Sequence, residues 1–504
     1  MRRIYPEFPR RPISVPPSIS AVYGLRRRAW ISFVFGVAMG WMLGGCTSLA
    51  PRHQTVALPV AAHYPADVIS TPAEHGTDAA AIGWRDYFSD PRLRALIAQA
   101  LDNNRDLRSA VLHVAEARAA YRIQRSAEWP TVGVDAIGIR TLVPAGTLTG
   151  ESLLLSEYEV GISELSWELD FWGRVRSLKD SALESFLATD AARRGAAVSL
   201  VAQVANSYLS LRELDERLML ARKTVASREE SLRIFTRRYQ VGSTSKLDLT
   251  QVETLLTQAQ GLSAQLEQER AAQAHALTLL IGAPVDLAPQ SEFDDQSVLR
   301  ELAAGAPSDL LRSRPDIVAA EHQLEAAHAN IGAARAAFFP RVTLTGAFGS
   351  ASADLDGLFG AGSRSWTFLP SISLPIFDAG RNRANLNLAK VRSDLAVANY
   401  DKTIQGAFRD VSDALSARRW LSEQVRIQSI ALAAQTERAR LAKLRYDNGA
   451  AAFLEVLDAQ RDLLSVEQQS VQTRRALLSS RVSLYAALGG GSMEFISAPA
   501  SHTP

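Results

Sequence analysis

The sequence predicts a mainly α protein with a small β part that crosses a membrane, and three observations support this prediction. Two windows without proline, 145–283 and 376–498, have the composition of very long helices. Four shorter segments alternate apolar and polar residues, as strands with two different faces do. The helices and turns occur twice, with matching residues 207 positions apart, so two internal repeats are expected.

The first element is a targeting segment, residues 1–45. An arginine cluster at 26–28 precedes a short apolar run and small residues, which is the layout of a secretory signal. Leu43-Gly44-Gly45 before Cys46 is similar to the bacterial lipobox, so we expect lipidation of Cys46; an uncleaved anchor is the alternative. Because Cys46 is the only cysteine of the chain, an intrachain disulfide is excluded. Residues 46–83 are then a lipid-anchored segment.

The charge of the chain comes largely from this segment. Residues 1–45 hold seven arginines and one glutamate and so carry +6, whereas the whole chain carries +2. The remaining chain is therefore at −4, which argues against nucleic acid as a partner.

Residues 174–240 and 381–447 are predicted to be the longest helices. At about 1.5 Å per residue, each would span roughly 100 Å, which favours a coiled coil or a helical tube over a compact domain. A seven-residue repeat supports coiled-coil packing. Its members are Val204, Leu211, Leu218, Val225, Leu232 and Tyr239, and then Val411, Arg418, Val425, Leu432, Ala439 and Tyr446.

Each long helix is followed by a turn and a second helix. Four pairs keep the spacing of 207 residues: Tyr239 and Tyr446, Gly242 and Gly449, Leu247 and Leu454, and Asp248 and Glu455. We therefore predict repeats at 84–284 and 308–490, a linker at 285–307 and a C-terminal tail at 491–504. The hairpin tips are expected at about 240–246 and 447–453.

The alternating segments predict one β-hairpin in each repeat. The strands are expected at about 130–142, 158–172, 340–349 and 366–378, with polar loops at 144–157 and 350–365. Apolar-out, polar-in strands with aromatic ends are typical of a transmembrane barrel; a soluble β-sandwich would have more strands and no adjoining long helices. Because four strands cannot close a barrel and an open edge cannot face lipid, the sequence predicts a homo-oligomer.

These segments resemble the outer-membrane channel lipoproteins of tripartite, resistance-nodulation-division type efflux pumps, the OprM and TolC type. The resemblance extends from about Trp84 to Gly489. It is most specific in "WRDYFSDPRLRALIAQALDNNRDLRSA", "LLRSRPDIVAAEHQLEAAHANIGAARAAFFPRVTLTG" and "FDAGRNRA". It implies a homotrimer with a 12-stranded β-barrel in the outer membrane of a Gram-negative bacterium, continued in the periplasm by a coiled-coil barrel of twelve helices.

The same resemblance implies a passive exit channel for drugs or other small toxic compounds. Its implied partners are an inner-membrane efflux pump, a periplasmic adaptor and outer-membrane lipid. An outer-membrane duct for type I protein secretion is the first alternative. A lipid-anchored periplasmic coiled-coil adaptor is the second, but it should show one helical hairpin instead of two.

Enzyme chemistry is not expected, and neither is a cofactor beyond the covalent lipid on Cys46. No glycine-rich phosphate loop precedes a helix. His322 and His328, with Glu325 between them, are six residues apart, which is a poor spacing for shared metal ligation. No metal site is therefore predicted.

The candidate site is the stretch "LRYDNGAAAFLEVLD" and its earlier counterpart "RRYQVGSTSKLDLTQ". Ser245 and Asp248 fit a capping box. Ala452 cannot cap in this way, yet Glu455 and Asp458 are present and share one helix face. Repeated by symmetry around a tube, these two acids would form a ring of carboxylates, which selects cations unless the acids are paired.

The resemblance assigns roles to these positions. It implies that Tyr446, Glu455 and Asp458, together with Tyr239 and Asp248, form the periplasmic aperture. It implies that the turn residues Gly242, Ser243, Gly449 and Ala450 contact the adaptor. It also implies a basic partner near the tyrosine, where this sequence has Ala450 and Ala451.

Overall fold

The computed structural model describes residues 49–51, 59–61, 63–64, 79–145, 151–289, 302 and 309–496. Cys46, the targeting segment and most of residues 46–83 lie outside the described residues, as do most of the linker and the last residues of the tail. The chain divides into two units. We call Glu128–Ser177 with Gly332–Ala379 the β unit, and Pro51–Ala127, Leu178–Ile331 and Gly380–Pro504 the α unit.

The β unit is one four-stranded antiparallel sheet. Its strands are β1 (Val132–Val143), β2 (Leu153–Leu169), β3 (Arg341–Ser352) and β4 (Arg364–Ser373), in the order β1-β2-β3-β4. Each strand pairs with the next along the chain, and a register shift between Glu164 and Trp167 interrupts the β2–β3 ladder. Among the described residues, β1 and β4 each have one edge without a strand partner.

The second strand differs from the prediction at both ends. β2 begins at Leu153 and not at about residue 158, because its first residues pair with the end of β1. It ends at Leu169 because the Asp170 carboxylate accepts hydrogen bonds from Val175 N at 3.1 Å and Arg176 N at 2.8 Å. Asp170, which lies inside the strand predicted at about 158–172, thus caps the helix that follows.

The strands of the second hairpin also have different bounds. β3 extends to Ser352, beyond the predicted end at 349, and β4 begins at Arg364 instead of about 366. β4 ends at Ser373 and not at 378, because Ser373 pairs with Arg341, the first residue of β3.

The register of the sheet separates two faces. One row across all four strands consists of Val134, Ile162, Phe348 and Trp366, and these side chains are 78%, 54%, 57% and 71% exposed. The neighbouring row points to the opposite face and consists of Gly133, Ser163, Ala347 and Thr367. One face of the sheet is therefore apolar and uncovered, whereas the neighbouring row places small and polar side chains on the other face.

The α unit is built from long helices. We number those of more than one turn α1 (Pro91–Asn103), α2 (Arg105–Ser126), α3 (Arg174–Gln240), α4 (Lys246–Ile281), α5 (Pro315–Ala336), α6 (Arg381–Asp447) and α7 (Phe453–Ala487). α3 and α6 have 67 residues each and confirm the predicted helices at 174–240 and 381–447. None of the described helices is both long enough and sufficiently apolar to span a membrane.

An aromatic core holds the helical ends of the α unit together. The rings of Tyr87 and Tyr485 stack with centroids 4.2 Å apart, and both side chains are buried. Their hydroxyls donate to the carbonyls of Arg481 and Ile82 at 2.9 and 2.8 Å. Burial raises the pKa of both tyrosines far above the usual value, so the two phenols stay neutral donors.

Arg314, in the Arg-Pro-Asp run, joins three helices of the α unit. Its guanidinium lies 2.6 Å from Asp316 and 3.4 Å from Asp410 of α6, and it donates to the carbonyl of Ala487 at 3.1 Å. The run therefore fixes the start of α5 against α6 and the end of α7.

The seven-residue repeat of α3 passes from buried to exposed positions toward the first hairpin tip. Val204, Leu211 and Leu218 of the seven-residue repeat are buried in α3, whereas Tyr239 at the end of the same repeat is 43% exposed. The residues of the candidate site therefore lie where the coiled-coil core meets solvent.

Candidate site at the tips of the helical hairpins

The two hairpin tips have the same backbone geometry. After α3, Ser243 N donates to the Arg238 carbonyl at 2.8 Å; after α6, Ala450 N donates to the Arg445 carbonyl at 2.8 Å. Gly242 and Gly449 have φ of 75° and 70°, the left-handed conformation that closes a helix end without a Cβ penalty. The turn residues named for the adaptor contact are therefore exposed tips of identical shape.

The helices that leave the two turns start differently. Ser245 Oγ accepts from Asp248 N at 3.1 Å, and the Asp248 carboxylate accepts from Ser245 N at 3.2 Å, which confirms the predicted capping box. The Ser245 hydroxyl, the Ser245 N–H and the Thr244 hydroxyl hold the pKa of Asp248 below its usual value. At α7, Ala452 provides no side-chain cap. The role of Asp248 within this chain is thus structural.

An aromatic cluster joins the two hairpins at their tips. Phe235 of α3 and Phe453 of α7 have ring centroids 4.4 Å apart, and Phe453 lies 4.9 Å from the ring of Tyr446. Phe235 is buried in a cluster with Leu249, Val252 and Leu457. We call Phe235, Phe453, Tyr446 and Arg238 the tip cluster. Because its members come from both hairpins, the first hairpin cannot move away from the second without breaking it.

Arg238 of the first hairpin is a basic side chain in contact with Tyr446. Its Nη1 donates to the Tyr446 hydroxyl, and its guanidinium carbon lies 5.6 Å and 5.7 Å from the ring centroids of Phe235 and Tyr446. The turn itself has Ala450 and Ala451, and this basic side chain comes from the other hairpin. A sequence signal exists, since Arg238 and Arg445 precede the two tyrosines at the same spacing of 207.

The two acids of the second tip are paired. Arg445 Nη1 lies 2.5 Å from Glu455 Oε1, and Arg461 lies 3.4 Å from Asp458. The four side chains are 41% to 58% exposed, so these are solvated ion pairs of small energy. A ring formed by symmetry would therefore carry guanidinium groups next to its carboxylates.

Tyr239 and Asp248 are not brought to the tip cluster. The ring centroid of Tyr239 is 5.5 Å from Lys246 Nζ, and Asp248 bonds to the residues of its own turn. The structure thus joins Tyr446 to the first hairpin through Arg238 and not through Tyr239. Phe235, Phe453, Arg445 and Arg461 are further site residues that the sequence-based reasoning did not name.

The structure therefore combines a sheet with an uncovered apolar face and paired helical hairpins of great length. The model of the family described as outer membrane efflux protein matches residues 96–283 and 306–490. The chain belongs to this family.

Three relatives agree with this assignment. The toluene efflux pump outer membrane protein TtgC of Pseudomonas putida is 45% identical over 455 residues, which cover 90% of this chain and 94% of the relative. The antibiotic efflux pump outer membrane protein ArpC of Pseudomonas putida is 44% identical, with the same coverage. The open state of the MtrE outer membrane channel of Neisseria gonorrhoeae matches with a TM-score of 0.80 at 37% identity, covering 88% of this chain and 98% of that one. The protein is therefore an outer-membrane protein.

Proposed function

We propose that this protein is the exit channel of a tripartite efflux system and passively conducts drugs and other small toxic compounds from an inner-membrane pump and a periplasmic adaptor to the exterior. Family membership supports the role, and the relatives named for toluene and antibiotic efflux suggest the substrate class. The observation that carries the proposal is the four-stranded sheet with one apolar face and two open edges. Such a sheet can lie in lipid only when other copies of the chain pair with its open edges, because lipid cannot satisfy their backbone groups.

The assembly is a homotrimer. Three copies give a closed barrel of twelve strands, in which the open edge of each β1 meets the open edge of β4 from another copy. The α units then form a coiled-coil barrel of twelve helices, four from each copy. The equal element order of the two halves, with two strands followed by two long helices, supports their origin as two internal repeats.

The tip cluster holds the periplasmic aperture closed. Tyr446, Glu455 and Asp458 line the aperture, with Tyr239 and Asp248 beside them. The contact from Arg238 to Tyr446 keeps the two hairpins together, and the exposed turns at Gly242, Ser243, Gly449 and Ala450 meet the adaptor. Opening requires that the tip cluster separate.

The lipid anchor is attached to Cys46, which lies outside the described residues. A radioactive fatty acid supplied to the producing cells is expected to label the wild-type protein. Label that persists in Cys46→Ala contradicts the assignment.

Efflux is tested in a Pseudomonas putida host that lacks its own channel of this family. Expression of the chain is expected to restore tolerance to toluene and to lower antibiotic accumulation, whereas the empty vector does neither. Electron microscopy of the detergent-extracted protein is expected to show an elongated trimer. A trimer that conducts ions in planar bilayers but restores no tolerance would contradict the efflux role, and export of a protein substrate would favour the secretion duct.

A further inference from the structure

A cleft of about 910 Å³ lies in the α unit between α3 and α6, where the start of α5 meets the end of α7. The space exists because much of the lining is alanine, as at Ala202 and Ala417. Val198 and Ala414 are buried, whereas the side chain of Asp413 is 76% exposed, so the cleft has an apolar floor and an open mouth. Its volume is within the range of small-molecule sites.

The charged lining residues leave an excess of carboxylate. They are Arg314, Asp316, Asp410 and Asp413. The Arg314 guanidinium is already paired, because it lies 2.6 Å from Asp316 and 3.4 Å from Asp410. Asp413, by contrast, has within the described part of the chain only a contact of 3.9 Å with Arg409, which is not a lining residue. Three negative charges against one positive charge favour a cation as the occupant.

Three neutral polar residues of the lining present acceptors. Ser480 Oγ donates to the Leu477 carbonyl at 2.7 Å. Thr403 Oγ1 donates in the same way to the Asn399 carbonyl at 2.8 Å, so each hydroxyl has only lone pairs left for a ligand. Asn206 Oδ1 is buried and has no hydrogen-bond partner among the described residues. Together with the carboxylates, these atoms favour a ligand that donates hydrogen bonds.

We propose that this cleft binds an organic ammonium ion, with the charged group against Asp410 and Asp413 and the apolar body against the alanine-lined floor. The two acids are three residues apart on α6 and so share one helix face. A hydrogen bond from an ammonium to a carboxylate is stronger than one between neutral groups, and the apolar body leaves water as it enters the cleft. The inference goes beyond the proposed function, because passive conduction requires no ligand site.

Arg409 is the internal competitor of this ligand. Its guanidinium lies 2.7 Å from Asp410 and 3.9 Å from Asp413, and its side chain is 72% exposed. Ion pairs at this exposure contribute little. A ligand that also buries apolar surface can therefore replace Arg409 at the two carboxylates.

The probe is dansylcadaverine, a fluorophore with a primary ammonium, titrated against the full chain purified in detergent. We expect saturable binding with one site per chain. Acetylation of the amine should weaken binding about tenfold, because the body of the probe is kept and its charge is lost. Asp413→Asn should weaken binding of the ammonium form to a similar extent. Asp394→Asn is the matched control, since Asp394 is exposed on the same helix outside the cleft, and it should leave binding unchanged.

Two further variants separate space from charge. Ala417→Leu fills the cleft without changing its charge and should weaken binding of both the ammonium form and the acetylated form. Arg409→Gln removes the internal competitor and should tighten binding of the ammonium form.

The inference is overturned if the wild-type protein shows no saturable binding. It is also overturned if the two forms of the probe bind equally, which would assign the signal to detergent or to apolar surface. An equal loss in Asp413→Asn and Asp394→Asn would show an effect of net charge alone, and unchanged binding by Ala417→Leu would place the probe outside the cleft. Because binding is measured without a pump or an adaptor, a negative result leaves the proposed function standing.

Discussion

At the scale of single residues, Arg238 is the side chain that joins Tyr446 to the first hairpin. It bonds to the Tyr446 hydroxyl and lies above two aromatic rings, whereas the acids of the tip pair with arginines of their own hairpin. Ion pairs at this exposure contribute little to stability. A hydrogen bond from a charged donor to a half-buried phenol, supported by aromatic packing, contributes more.

Tyr446→Phe is expected to open the aperture. The variant keeps the ring but loses the hydroxyl that accepts from Arg238, which removes about 1 kcal/mol from the closed state and raises the open fraction roughly fivefold. Single-channel recording in planar bilayers measures this fraction. Tyr239→Phe is the matched control, because the described residues provide its hydroxyl with no hydrogen-bond partner. Equal effects of the two variants would contradict the role of the tip cluster.

Asp248→Asn is expected to reduce the pH dependence of stability. Because the pKa of Asp248 is lowered in the folded chain, its carboxylate stabilises the fold above the unfolded pKa, and this contribution is lost as pH falls through the folded pKa. The wild-type protein should therefore have the higher Tm at pH 7, and the difference should shrink as the pH falls below about 4. Glu253→Gln is the control, because it removes a carboxylate of the same helix that lies outside the capping box. A constant Tm difference at all pH values would contradict the capping role.

At the scale of elements, the sequence was most informative where a local rule determines the structure. The bounds of α3 and α6 and the cap at Ser245 follow from helix composition, glycine and side-chain hydrogen bonding. The ends of β2 do not follow from a local rule. Asp170 can either continue a strand or cap a helix, and the position of the next helix determines which of the two it does. The tip cluster was missed for a similar reason. Arg238 and Tyr446 are 208 residues apart, so their contact depends on how the hairpins pack.

Gly449→Ala is expected to destabilise the second hairpin. Gly449 has φ of 70° and no atom within 4 Å of an added Cβ, so the cost is backbone strain alone, about 1 to 2 kcal/mol. Gly261→Ala is the matched change inside α4. An added Cβ there also meets no atom within 4 Å, but the backbone is helical, so the substitution should stabilise the fold by about 0.5 to 1 kcal/mol. Thermal unfolding should show a lower Tm for Gly449→Ala and a higher Tm for Gly261→Ala than for the wild-type protein. A stabilising Gly449→Ala would contradict the left-handed turn.

At the scale of the whole molecule, the sheet explains why one chain is insufficient. Its apolar row from Val134 to Trp366 needs lipid, yet lipid cannot satisfy the backbone groups at the edges of β1 and β4. Additional copies of the chain would pair with the edges of β1 and β4 and would leave the apolar row exposed to lipid. In the proposed barrel of several copies, the apolar face is the outside, and the face with Ser163 and Thr367 is the lumen.

This assignment of the two faces is tested by adjacent residues of β4. Phe368 is 62% exposed and lies on the face of Trp366, whereas Thr367 lies on the opposite face. Phe368→Arg is expected to cost about 2 to 4 kcal/mol of folding free energy in a bilayer, because the charge must enter lipid near the middle of the strand. Thr367→Arg adds the same charge to the lumen and should fold normally while lowering cation selectivity. Folding into lipid vesicles measures the first effect and planar-bilayer reversal potentials measure the second. Similar folding of both variants would show that the apolar face does not meet lipid, and would remove the main argument for a barrel closed by several copies.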